Sequence, residues 1–223
     1  MHNLHSWEVD VEKAIEIQED LRKHVILKNS FSGVRTIGGG DVAYREKDEL
    51  FGAIVVLSFP DLAVCDSATA TGKTPLPYIP GLLSFREGPI LISAFEKLNI
   101  RPDVMIFEGQ GIAHPRGFGL ASHLGLWLGL PSIGCTKTPL LPAPVSVGDS
   151  RGMSQFIRAH GRKVGAVVRT KRGVKPVFVS PGHRIDLPTS VKLVLAACQR
   201  FRMPEPLRRA HQLAGRAARG EIT

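Results

Sequence analysis

Three carboxylates in this chain stand where regular elements begin or end. Asp41 follows the run Gly38-Gly39-Gly40 inside a β-rich stretch, and Glu108 closes the apolar run of residues 104–107 just before Gly109-Gln110-Gly111. Glu87 opens a helical stretch behind a loop carrying Pro75, Pro77 and Pro80. In α/β sheets the strand ends and their loops collect ligand sites. Carboxylates converging there suit Mg²⁺, which takes hard oxygen ligands and keeps several waters for substrate phosphates. His114, in GIAHPRGFG, sits among Gly, Pro and Arg116 instead of on an apolar face, and Lys137 follows the strand-like SIGCT. An ammonium beside carboxylates and a metal binds phosphate or stabilises developing charge. Taken singly, each residue also has a plain structural reading: turn residue, helix N-terminal charge, strand end, solvated lysine. Thr71-Gly72-Lys73-Thr74 resembles the end of a phosphate-binding loop, but that motif needs Gly where the chain has Ser67, and prolines follow instead of a helix. It reads as a turn.

Periodicity supplies the elements that must hold these side chains. A helical pattern runs over 6–25 with Ser6 as N-cap. β-rich runs at 34–44, 50–59 and 62–70 are separated by REKDE and Pro60-Asp61, which predicts an antiparallel meander. Helical period resumes over 85–98, with Pro89 tolerable only in the first turn. A strand at 103–107, a helix at 118–130 and a strand at 132–135 predict a parallel extension of the same sheet. After a loop over 138–150 come a strand pair, 164–169 with 176–180, and helices at 191–199 and 206–218. The expected architecture is one α/β domain over 1–223, a mixed β-sheet flanked by helices.

Composition agrees with a single domain: 223 residues, 43% hydrophobic and 22% charged, with a mean hydropathy of +0.03. The net charge of +9 is unevenly spread. Residues 1–150 carry 13 Lys/Arg against 17 Asp/Glu, a balance of −4, and residues 151–223 carry 16 against 3, a balance of +13. A basic second segment points to a polyanionic partner. Cys65, Cys135 and Cys198 are odd in number and lack CxxC spacing, which argues against a disulfide framework or structural zinc and for a reducing compartment. The N-terminus lacks a basic segment followed by an apolar run, and the longest apolar stretch, 120–130, is interrupted by His123. The expectation is a cytoplasmic monomer with no membrane association.

Together the segments IGGGDVAY (37–44), PLPYIPGLLSFREGP (75–89), EGQGIAHPRGFGLASHLG (108–125), SIGCTK (132–137), PVFVSPGHRID (176–186) and RMPEPLRRAH (202–211) resemble the endonuclease V family, in its order and spacing. The resemblance implies a ribonuclease H-like fold and hydrolysis dependent on Mg²⁺, with Mn²⁺ as a substitute. It implies recognition of deaminated adenine (hypoxanthine, in deoxyinosine or inosine) in DNA, with inosine-containing RNA as the other candidate substrate. The second phosphodiester bond 3′ of the lesion is cut, leaving 3′-hydroxyl and 5′-phosphate ends. Carried onto this chain, Asp41, Glu87 and Glu108 become metal-binding acids. His114 and Lys137 become basic residues near the reacting phosphate, and His211 a histidine beside the metal. Pro77, Tyr78, Ile79 and Pro80 match a strand-opening wedge, and Gly81, Leu83, Gly109, Gly111 and Leu140 the lesion pocket. An aromatic ring can fill the place of an extracted base, and glycines let backbone groups approach the flipped one.

The chain departs from the family pattern twice. Position 108 is Glu where the family has Asp, and Thr138-Pro139 follow Lys137 where Ser-Arg is common. The first touches the metal site itself, so the competing expectation is a catalytically impaired nucleic-acid-binding protein on the same fold.

Overall fold

The computed structural model describes residues 2–222 apart from Lys47, Pro75, Val145 and His160. The Pro75 of the proline-rich loop therefore lies outside the described residues. Strands β1 (Thr36–Arg45), β2 (Glu49–Ser58) and β3 (Val64–Lys73) form the expected antiparallel meander, with β1 and β2 in register from Thr36↔Ser58 to Arg45↔Glu49. Helices α2 (Leu83–Glu96) and α3 (Leu120–Leu128) make the crossovers that lay β4 (Val104–Glu108) parallel to β1 and β5 (Ser132–Thr136) parallel to β4. Strands β6 (Ser154–Ala159), β7 (Arg162–Val168) and β8 (Val177–His183) extend the sheet antiparallel from β5, giving the order β3-β2-β1-β4-β5-β8-β7-β6. Helix α1 (Val11–Leu21) precedes the sheet, and α4 (Leu187–Ala197) and α5 (Glu205–Ala218) complete the chain.

The two-residue period of the strands sorts the core into two layers. Ile37, Val104, Ile106, Ile133 and Cys135 pack with Val194 of α4 and Leu207 and Ala210 of α5. Met105 and Phe107, one step out of phase, pack with Leu91 and Phe95 of α2 and Leu124 of α3 on the opposite face. The glycine run of β1 has a specific use here. A Cβ on Gly39 would stand 2.2 Å from the Pro206 carbonyl carbon, so only glycine lets the start of α5 press onto the sheet.

Four local expectations are corrected. The first helix starts at Val11, capped by Asp10, whose carboxylate accepts the Lys13 N–H at 2.8 Å. The apolar residues before it serve a different purpose: Trp7 lies in an irregular segment and its ring packs on Phe85, His123 and Trp127. Pro89 is the seventh residue of α2, not a first-turn residue. Burial of Leu82 and Phe85 against Ala14 of α1 draws the helix start upstream of the position its periodicity suggests. Thr71 to Lys73 is strand, not turn, with Lys73 paired to Glu49. Strand β6 escaped the periodic reading because it is an edge strand on which only Ile157 is buried.

Candidate active site

The register of the parallel strands assembles the polar cluster. Gly40 of β1 stands opposite Phe107 of β4, so the next pair along is Asp41 and Glu108. Counting by twos from Ile37 and from Val104 puts both side chains on the α5 face. Glu108 pairs in turn with Cys135 of β5, and Lys137 lies two residues beyond it on the same face. Three neighbouring strands therefore present Asp41, Glu108 and Lys137 side by side, Glu108 at the end of β4 and Lys137 just past β5, while Asp41 lies within β1 and not at the strand end the sequence suggested. Helix α5, seated on Gly39, brings His211 over them, and His211 Nδ1 meets Asp41 Oδ2 at 2.7 Å.

Glu87 enters from the other layer. It is the fifth residue of α2, 8% exposed, and its Oε1 accepts the Tyr44 hydroxyl at 2.6 Å. Arg86 steadies that tyrosine, with Nε donating to its hydroxyl at 3.3 Å and the guanidinium 4.9 Å from the ring centroid. Tyr44 was absent from the sequence reading, although the signal was there. It lies three residues after Asp41, and β alternation turns it to the α2 face that Glu87 occupies.

Electrostatics show a site short of positive charge. Burial pushes the Glu87 carboxyl up to about 8, with the Tyr44 hydrogen bond opposing and the charges of Asp41 and Glu108 adding to the rise. Glu108 is raised to about 6 by burial, held back by the Lys137 charge and raised further by Asp41. Asp41 is also raised by burial, against the His211 hydrogen bond. Three carboxyls that desolvate and repel one another form a hard-oxygen donor set that a divalent cation would relieve. Among the described residues no three His, Cys, Asp or Glu side chains close into a ready-made cage. Asp41 and Glu87 are each held by a protein hydrogen bond, to His211 and from Tyr44 respectively.

His114 belongs to a different part of the site from the one expected. Its ring is 3% exposed, Nδ1 accepts the Arg116 N–H at 3.1 Å, and Nε2 lies 3.0 Å from the Gly81 carbonyl oxygen. With Nδ1 an acceptor, Nε2 must carry the proton, so the imidazole is neutral. Burial and the Arg116 charge push it down to about 4. It anchors a pocket wall instead of joining the carboxylates.

That pocket is a cavity of about 220 Å³. Tyr78, Gly81, Leu83, Gly109, His114 and Leu140 line it. Tyr78 is 67% exposed at its mouth. Pro77 and Tyr78 also line an adjoining cavity of about 510 Å³ that reaches Tyr44 and Glu87, which links the pocket to one member of the carboxylate cluster. Pro80 is exposed, while Ile79 packs inward on the cluster of Ala14, Leu82 and Phe85. Gly111 is corrected: it lies behind the pocket, where its N–H donates to Ser180 Oγ and a Cβ would stand 2.1 Å from the Pro181 oxygen. On the far side of His211 a groove of about 580 Å³ runs past Arg209, Arg216 and Arg219.

Comparison with known proteins agrees over nearly the whole chain. The Endonuclease V family model matches residues 19–212. The Endonuclease V of Dictyoglomus thermophilum is 45% identical over 211 residues, covering 95% of this chain and 92% of that protein. The crystal structure of Endonuclease V from Streptomyces avermitilis superposes with a TM-score of 0.91 at 42% identity, covering 98% of this chain and 97% of that one. The Ciona intestinalis Endonuclease V, solved in complex with a 24mer DNA containing an inosine followed by a ribo-adenosine, superposes with a TM-score of 0.84 at 26% identity, covering 95% and 99%. The mixed eight-stranded sheet is thus the ribonuclease H-like fold of these nucleases, and the chain belongs to the endonuclease V family.

Proposed function

We propose that this protein is a divalent-metal-dependent endonuclease that recognises deaminated adenine and hydrolyses the second phosphodiester bond on its 3′ side, leaving 3′-hydroxyl and 5′-phosphate ends. The observation that carries this reading is the juxtaposition of the Asp41–Glu87–Glu108 cluster with a small cavity gated by the exposed Tyr78. At about 220 Å³ the cavity falls below the usual range of drug-sized sites, roughly 300 Å³ and upward, and suits one heterocycle.

Asp41, Glu108 and Glu87 would hold Mg²⁺, or Mn²⁺ in its place. A cation bound there supplies an activated water and neutralises charge on the scissile phosphate. His211 fixes the rotamer of Asp41, and Tyr44 holds Glu87 toward the cluster. The Lys137 ammonium, exposed at the end of β5, faces the phosphate and balances its charge. Tyr78, flanked by Pro77 and Pro80, takes the place of the extracted base in the stack. The Ciona protein's inosine-containing DNA complex supports a deoxyinosine strand as substrate.

Incubation of a deoxyinosine duplex and its deoxyadenosine counterpart with Mg²⁺, with the product ends mapped, tests the reading. Nicking confined to the deoxyinosine strand, one nucleotide beyond the lesion's own 3′ phosphate, is expected. A shifted but uncut duplex would favour the reading raised by Glu108, a binding protein without catalysis. Parallel rates on an inosine-containing RNA decide the preferred sugar.

A further inference from the structure

Helix α1 is largely solvent-exposed, yet Gln18 within it has no exposed surface at all. Its amide is engaged at both ends. Nε2 donates to the Gly81 carbonyl at 2.9 Å and to the Phe118 carbonyl at 3.0 Å, and the Arg116 guanidinium donates from Nε to Gln18 Oε1 at 2.6 Å. Arg116 then reaches past Gln18, its Nη2 donating to the same Gly81 carbonyl at 2.9 Å. With the His114 Nε2–H at 3.0 Å, three donors from two separate segments, α1 and the 114–116 loop, converge on one carbonyl oxygen.

Gly81 is the joint between the Pro77–Pro80 wedge and the pocket. Its φ is +84°, and a Cβ there would stand 2.7 Å from Arg116 Nη2 and 3.3 Å from His114 Nε2. A left-handed glycine is the most pliable point of such a segment, and fixing its carbonyl fixes the peptide plane that joins wedge to pocket. We propose that Gln18 and Arg116 are positioning residues that, with His114, clamp the Gly81 carbonyl and so set the Tyr78 wedge and the Gly81–Leu83 pocket wall in register for the extruded base. The assignment rests on the lesion-binding reading of the pocket. It places the control of base selectivity in a helix and a loop residue that need not touch the metal centre.

Two variants test it. Gln18→Met keeps length and volume but removes every hydrogen bond of the amide, and Arg116→Met removes both guanidinium bonds. Each should raise KM for an inosine oligonucleotide about tenfold, the loss expected when a binding group is misplaced by a fraction of an ångström. Weak binding to the adenosine oligonucleotide should stay unchanged. Because both act on one carbonyl, the double variant should lose little more than either single one. A purely structural role would instead lower the active fraction, reducing apparent kcat on inosine with KM unchanged. That result, or losses that multiply in the double variant, overturns the proposal. Amide exchange in the free protein gives a readout without substrate: residues 78, 79 and 81–83 should exchange faster in both variants while the strands stay protected. Unchanged exchange there sinks the clamp, whereas a parent protein indifferent to inosine sinks the lesion reading instead.

Discussion

The Tyr44 hydroxyl of β1 and the Glu87 carboxylate of α2 share a 2.6 Å hydrogen bond that ties the sheet to α2 beside the carboxylate cluster. The bond favours the charged form of Glu87, which burial opposes strongly enough to push its carboxyl up to about 8. A cation needs the deprotonated acids, so its binding must release protons. Affinity for Mg²⁺ should therefore climb as pH rises through the 6 to 8 range set by Glu108 and Glu87. Tyr44→Phe removes the opposing bond and should move the upper midpoint up by about one to two units, as a hydrogen bond to a charged group worth ~1.5–3 kcal/mol implies. Calorimetric titration of Mg²⁺ between pH 6 and 9 reads it, and a midpoint that stays or falls would remove Tyr44 from the site.

The same shift makes a stability statement for the metal-free protein. A carboxyl raised from 4.5 in the unfolded chain to about 8 in the folded one contributes fully below pH 4.5, and that contribution is lost as pH rises toward 8. Glu87→Gln lacks the titration, so its stability relative to the parent should increase across that window. Urea melts at several pH values provide the comparison, and parallel curves would mean that Glu87 titrates normally.

Glu108 differs from the family Asp by one methylene, about 1.5 Å of reach on a fixed strand. Metal sites tolerate misplacement of roughly 0.5 Å, and Mg²⁺ demands near-octahedral geometry. Glu108→Asp should raise Mg²⁺-dependent cutting several-fold, with a smaller gain in Mn²⁺, and leave the melting temperature unmoved. A fall in activity would show that the surrounding site, including the Lys137 N–H that bonds this carboxylate, is built around the longer acid.

Tyr78→Ala isolates the wedge. With 67% of the residue exposed, its loss should change stability by no more than about 0.5 kcal/mol. Discrimination for deoxyinosine over undamaged DNA should drop by one to two decades, the scale of a ~1–3 kcal/mol stacking contribution. Equal affinity losses on both DNAs would make Tyr78 a general surface contact.

The basic segment 151–223 can be resolved into paired and available charges. Arg208 is paired to Glu205 by hydrogen bonds of 2.6 and 2.8 Å and lies over Phe201, so it is already engaged. Arg209 shares Glu205 through Nε at 2.9 Å and Arg216 lies 3.7 Å from Glu221, but both line the groove beside His211 with side chains about half exposed, at 45% and 52%. Replacing both with Ala should flatten the log–log salt dependence of DNA affinity by about 0.9 per phosphate released. Base preference should not change. An unaltered slope would make the segment a solvated surface.

How far the sequence disclosed this site depended on distance along the chain. Glu108 was legible because an apolar run ends at it where β4 finishes, whereas Asp41, marked by the preceding glycines, lies inside β1 instead of at its end. Their meeting with Glu87 was not legible, since it depends on the parallel register of β1 with β4 and on α2 crossing above them. Tyr44 required the pleat direction of β1 to be known. Gln18 lies 63 residues from the carbonyl it holds, and no local pattern signals such a bond. The setting of His114 was not legible either, because its Gly, Pro and Arg116 neighbours carry no sign that the fold closes over both ring nitrogens.

Single-turnover cutting of a deoxyinosine duplex by the parent protein and by Asp41→Ala, with and without Mg²⁺, tests the account most directly. The parent should cut only with the metal and only beside the lesion. Asp41→Ala should lose cutting by several decades while still shifting the deoxyinosine duplex in preference to undamaged DNA, since Asp41 belongs to the carboxylate cluster and not to the pocket wall. Metal-independent cutting by the parent, or cutting by Asp41→Ala within tenfold of it, would contradict the assignment of these carboxylates as the catalytic centre.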